Sequence, residues 1–148
     1  MFSKFKSNRG QTIVEFAFVL VPLLVLVLGI MEFGILLYDK AVLTDACQEA
    51  ARAGIMFRAD STEFEYTPMT EAEIKTAVGN YVQNRLVTFG EPFDSTTDVA
   101  VAWDPSPTHG SMLEVSVNFP YTFLALPNFG GMGGGSLNLS ARSVMRME

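Results

Sequence analysis

From Phe16 to Tyr38 the chain runs through 23 residues, sixteen of them Leu, Ile, Val or Phe, with Glu32 the only charge inside. At about −0.3 to −0.6 kcal/mol each for insertion at a helix centre, these residues contribute about −6 kcal/mol. One interior carboxylate costs about 3 kcal/mol, so the run is expected to enter a bilayer. A span over about residues 13–38 is therefore predicted, and the remaining chain has to fold around or beyond it.

Lys4, Lys6 and Arg9 precede the run, whereas Asp39, Asp45 and Glu49 follow it against Lys40. Basic residues are retained on the cytoplasmic side, so the N-terminus is expected inside and the C-terminal part outside. A cleaved secretory signal has an apolar region of about 7–15 residues closed by a small-residue cleavage site. Here the apolar residues continue to Tyr38, and the nearest such site, Ala51-Arg52-Ala53, is far away. Pro22 removes one helical hydrogen bond within the run, a kink that membranes tolerate. Gly29 and Gly34 allow close approach of another helix, but their spacing is not that of a G-x-x-x-G pair.

Beyond the run, Val42, Leu43, Ala46, Cys47, Ala50, Ala53, Gly54 and Phe57 recur at three- and four-residue steps, with Asp45, Gln48, Glu49 and Arg52 on the other side. This periodicity predicts an amphipathic continuation, giving one helix over residues 11–58. Such a helix is about 70 Å long, of which about 30 Å crosses the hydrocarbon core. Its second half must pack on something outside the membrane.

Residues 59–148 supply that partner. Ala59 to Pro68 is acidic and reads as irregular, and Thr70-Glu71-Ala72-Glu73 is a capping box that starts a helix. Ile74, Ala77, Val78, Tyr81, Val82 and Leu86 form its apolar face, and Gly90 and Pro92 are expected to end it near Phe89. The period then changes to two. Val99, Val101 and Trp103 alternate with small residues, and Leu113, Val115, Val117 and Phe119 alternate with polar ones, on either side of a turn-rich segment from Asp104 to Gly110. Residues 130–135 form a Gly-rich linker, and Leu137, Leu139 and Ala141 mark a last strand ending near Met147. The predicted class is α+β, a long N-terminal helix packed on a small antiparallel sheet with one further helix.

Chemistry is sparsely represented. Without the residues up to Gly10, 7 basic residues face 16 acidic ones, a balance of −9 that argues against nucleic-acid binding. The glycine segment lacks the Lys-Ser/Thr of a phosphate loop and does not complete G-x-G-x-x-G. His109, the single histidine, lies among turn residues and reads as solvated, leaving no histidine-based metal set or Ser-His-Asp arrangement. The carboxylates between Asp60 and Glu73 match no calcium-loop spacing. Cys47, the single cysteine, reads as a small buried hydrophobe or as one half of an intermolecular bridge. No enzyme activity, cofactor or metal is expected.

Glu15 is the residue whose position demands an explanation. A carboxylate at the start of a bilayer helix is costly unless paired, although headgroups and the positive helix N-terminus lower that cost. A cut after Gly10 would give Gln11 a new ammonium group one helical turn away. That amine could meet Glu15 in the same helix or in a neighbouring copy, where such a pair would fix register. Glu32, about 30 Å further along the axis, is expected at the outer membrane boundary, with interhelical pairing as the other reading.

The short basic leader (residues 1–10), Arg9-Gly10-Gln11, Glu15-Phe16, the unbroken helix and the Ala-rich Cys47-Gln48-Glu49-Ala50-Ala51-Arg52-Ala53-Gly54 resemble prepilins of the type IV class. The resemblance is closest to the TadE-like minor pseudopilins of the Tad (Flp) pilus system, and the terminal Ser140-Ala141-Arg142-Ser143-Val144-Met145-Arg146 is similar to that family's last strand. It implies a pilin-like fold, cleavage between Gly10 and Gln11 by a prepilin peptidase, and recruitment through Glu15 and Phe16. It also implies partnership with other pilins and pseudopilins and with the assembly platform in a bacterial inner membrane, the C-terminal domain being periplasmic, and a part in adhesion and surface colonisation. The alternative is an uncleaved single-pass anchor that presents a binding module through the aromatic segment Tyr121 to Phe129.

Overall fold

The computed structural model describes residues 9–56, 58–59, 66–104, 106–123 and 136–147; residues 1–8 of the leader and the linker 130–135 lie outside them. Helix α1, Arg9–Gly54, runs unbroken through Pro22. Its apolar first half stays exposed, and from residue 32 onward one face is covered. Glu32, Leu36, Asp39, Leu43, Ala46, Cys47, Ala50 and Gly54 form this buried stripe, spaced at the three- and four-residue steps that keep side chains on one side of a helix.

The helix ends at Gly54 and not at residue 58. A Cβ on Gly54 would lie 2.5 Å from Leu113 Cδ2 and 3.0 Å from Ile74 Cδ1, so glycine lets three elements converge where the chain turns away. The segment expected to be irregular contains a pair of two-residue antiparallel strands, β1 (Arg58–Ala59) and β2 (Tyr66–Thr67).

Helix α2, Glu71–Val82, begins with the predicted capping box. Glu73 N–H donates to Thr70 Oγ1 at 3.4 Å, and Thr70 N–H donates to Glu73 Oε2 at 2.8 Å. Ile74, Val78 and Val82 are buried, with Ala77, Tyr81 and Leu86 packed beside them. The helix stops seven residues before Phe89, the expected end. Gln83 already has an extended ψ of 127°, and Asn84 takes the left-handed conformation (φ 64°), which an Asn tolerates and which breaks the helical bond pattern.

Three strands follow, β3 (Val99–Asp104), β4 (Met112–Thr122) and β5 (Ser136–Arg146), forming an antiparallel sheet in that order. Leu113, Val115, Val117, Phe119 and Tyr121 of β4 face inward together with Leu139, Ala141 and Ser143 of β5. That face packs on the second half of α1, with α2 closing the side, which gives the α+β arrangement expected.

Strand β4 extends past Pro120 because the missing N–H costs nothing there. Asn118 N–H is the last donor toward β3, to Asp98 O at 2.9 Å, so Pro120 turns the same side of its backbone to a place where β3 has ended. The alternation therefore includes Tyr121, only 1% exposed. That corrects the reading of Tyr121 as the start of an exposed contact surface; residues 124–129 of that segment lie outside the described ones.

Candidate membrane and assembly interface

The sequence-predicted site residues lie at the free end of α1. Gly10, Gln11, Glu15 and Phe16 are all exposed, with Phe16 65% accessible. An added Cβ at Gly10 would meet nothing within 4 Å, so no packing against the described residues requires a glycine there. Gln11 Nε2 donates to Glu15 Oε1 at 3.1 Å, one turn along the helix. The Glu15 carboxylate thus already has a partner on Gln11, the residue that would carry the N-terminal amine after a cut.

Ile13, Val14, Phe18, Val19, Val21, Leu23, Leu24, Leu26 and most of their neighbours as far as Met31 are exposed around the helix, with Leu20, Val25 and Gly29 partly so. An isolated apolar cylinder of this kind cannot remain in water, because each large side chain left exposed forgoes about 1.5–3 kcal/mol of burial. Residues 10 to 31 span about 33 Å, the hydrocarbon thickness of a bilayer. This long apolar helix fits a membrane anchor.

The junction between helix and sheet carries polar contacts that sequence reasoning missed. Tyr121 Oη donates to Glu32 at 2.9 Å, both groups being buried. One turn pair further along the same stripe, Asp39 accepts from Val87 N–H at 3.0 Å through Oδ1, while its Oδ2 is buried without a hydrogen-bond partner among the described residues. Lys40 Nζ reaches the Ser140 carbonyl. Burial, and then the bond to the Glu32 carboxylate, push the Tyr121 phenol above its ordinary pKa, so it stays a donor throughout the physiological range.

Glu32 is therefore a domain-docking residue, and its partner comes from the sheet of the same chain. The usable signals were the expense of a carboxylate in an apolar run, the seven-residue interval from Glu32 to Asp39, and the odd-numbered alternation that ends on Tyr121. Cys47 is fully buried and unpaired, matching the first of its two readings, and His109 is exposed. Among the described residues no group of three or more His, Cys, Asp or Glu is placed to hold a metal.

No curated protein and no solved structure matches this chain. The family model described as TadE-like protein matches residues 10–52, the exposed apolar helix with its Ala-rich continuation, and through that segment the chain is similar to TadE-like proteins of Tad pilus systems.

Proposed function

We propose that this chain is a minor pseudopilin of Tad (Flp) pilus biogenesis, with a part in adhesion and surface colonisation, acting by assembly and not by catalysis. A prepilin peptidase on the cytoplasmic face cuts it after Gly10, and α1 then holds it in the bacterial inner membrane with the sheet domain on the periplasmic side. From there it joins other pilins and pseudopilins and the assembly platform through the N-terminal helix. The observation that carries this reading is the exposed set Gly10, Gln11, Glu15 and Phe16 at the start of an apolar helix whose TadE-like match begins at residue 10.

Glu15 acts as the recruitment group in this reading. Its exposure on a bare helix lets the amine of a neighbouring subunit, once Gln11 is the first residue, displace or share the weak contact with the Gln11 side-chain amide. Intact-mass spectrometry of protein from cells with an active prepilin peptidase should give a chain beginning at Gln11. Retention of Met1 in that protein would falsify the processing step. Glu15→Ala should insert normally but reduce piliation, and unchanged pili would remove its role. Gly10→Leu separates this reading from that of an uncleaved anchor, because it blocks assembly in the first and leaves the second unaffected.

A further inference from the structure

The sheet domain does not stand clear of the apolar run; it overlaps it. On one side of α1, Glu32, Leu36 and Asp39 are covered by the domain. On the other, at the same height, Phe33, Leu37 and Tyr38 remain more than half exposed. Glu32 to Tyr38 is about 9 Å of helix axis, so over that length the anchor presents apolar side chains outward while carrying protein on its opposite face.

The part of the domain at this height is its own apolar tip. Tyr121 bonds Glu32 and meets Phe123 edge-on at 5.5 Å between ring centres. Leu137, the register partner of Tyr121, continues the inward-facing row of β5 beyond its last buried member, Leu139, and is 46% exposed. Val87 N–H is fixed to Asp39, and the adjoining Phe89, 40% exposed, leads to Gly90, whose position is in contact with Thr122. Three of the domain's large exposed hydrophobics, Val87, Phe89 and Leu137, thus gather around the point where the helix leaves the run.

We propose that this tip is a membrane-seating surface, with Phe89 and Leu137 lying in the outer interfacial layer of the same bilayer that α1 crosses. The proposal rests on the reading of α1 as a membrane span. Its occupant follows from continuity: Phe33, Leu37 and Tyr38 complete the apolar run, and a lipid boundary that reaches them on the free side of the helix also reaches the tip on the covered side. Tyr121 and the Val87 N–H make this possible by bonding Glu32 and Asp39, the two carboxylates at that height on the covered face. Exposed Glu91, two residues past Phe89, limits the seat to the headgroup region. In the membrane the domain is then tethered at two points, the helix and the tip, and its azimuth around the helix and its tilt to the bilayer are both fixed.

The test uses the full chain in phosphatidylethanolamine and phosphatidylglycerol nanodiscs. Nitroxide labels are placed singly at Phe89→Cys, Leu137→Cys, Leu24→Cys within the span, and Val144→Cys at the far end of β5. Cys47 is fully buried and takes no label in the folded protein, and all four positions are exposed enough that a label displaces no core contact. At Phe89 and Leu137, collisions with oxygen should exceed those with a water-soluble nickel chelate by about threefold or more, as for groups about 5–10 Å into the interface. Val144 should show the reverse. Oxygen preference at Leu24 with nickel preference at both tip positions overturns the seating while leaving the span intact. Exclusion of both probes at the tip means that a second copy covers it, which also overturns the proposal. Nickel preference at Leu24 overturns the span reading itself, and the seating with it.

Discussion

Tyr121 and Glu32 are 89 positions apart, yet their bond is what holds the lower end of the sheet to the helix. Leaving one partner of a buried hydrogen bond unsatisfied costs about 1–3 kcal/mol. Tyr121→Phe keeps the ring and removes only that donor, so it should lower unfolding free energy by about this amount in denaturant titrations of the full chain in detergent. A change below about 0.5 kcal/mol would mean that the bond is solvated, since surface substitutions fall in that range. Asp39→Ala should change stability by no more than about 1 kcal/mol, because losing the acceptor of the part-buried Val87 N–H is offset by removing a buried carboxylate oxygen that has no hydrogen-bond partner among the described residues. Cys47 is sealed between α1 and the sheet, so thiol reagents should leave it unmodified in the folded protein and react fully in denaturant. Rapid labelling under native conditions would contradict the packing of α1 on β4.

The capping box of α2 is a local device, and its effect should be local as well. Thr70→Ala should destabilise by about 1 kcal/mol, and the double change with Glu73→Ala should cost less than the sum of the two, because each side chain satisfies a donor in the other's turn. Additive costs in a double-mutant cycle would rule out the reciprocal arrangement. This box, the helical periodicity through Gly54 and the alternation from Leu113 to Phe119 were all legible from residue order, since each is written within a few neighbouring positions. What was not legible depended on distant partners. Tyr121 follows Pro120, a residue that ordinarily has no place inside a paired strand, and only the end of β3 makes that proline harmless. The partner of Glu32 is supplied by a strand far along the chain, so the bond is not written in the order around Glu32. The early stop of α2 rests on the backbone of Gln83 and Asn84, which no apolar period reports. Gly10, Gln11, Glu15 and Phe16 are candidates from their order alone, while the helix–sheet junction joins residues that no local pattern relates.

The whole chain combines an exposed apolar rod and a packed domain that share one helix. Leu36, Leu43, Ala46, Cys47 and Ala50 form one wall of the core, so the domain is incomplete without residues 32–54. A chain beginning at residue 31 should therefore unfold cooperatively, whereas one beginning at residue 45 should lack a sharp transition by circular dichroism, since losing Leu36 and Leu43 alone removes about 3–6 kcal/mol of burial. Equal cooperativity in the two would show that the sheet and α2 are self-sufficient. The contact of Lys40 with Ser140 bears on a separate hazard. Asn118 turns its N–H toward β3, so its register partner Ser140 directs its own N–H and carbonyl away from β4, to the side of β5 on which no strand pairs among the described residues. An eleven-residue strand with such an open side is a template on which a stray extended segment can polymerise. The Lys40 ammonium occupies the Ser140 carbonyl near the middle of that template, so an invading strand has to displace a cation rooted in the helix before it can zip along β5, and runaway cross-β stacking is interrupted at its centre.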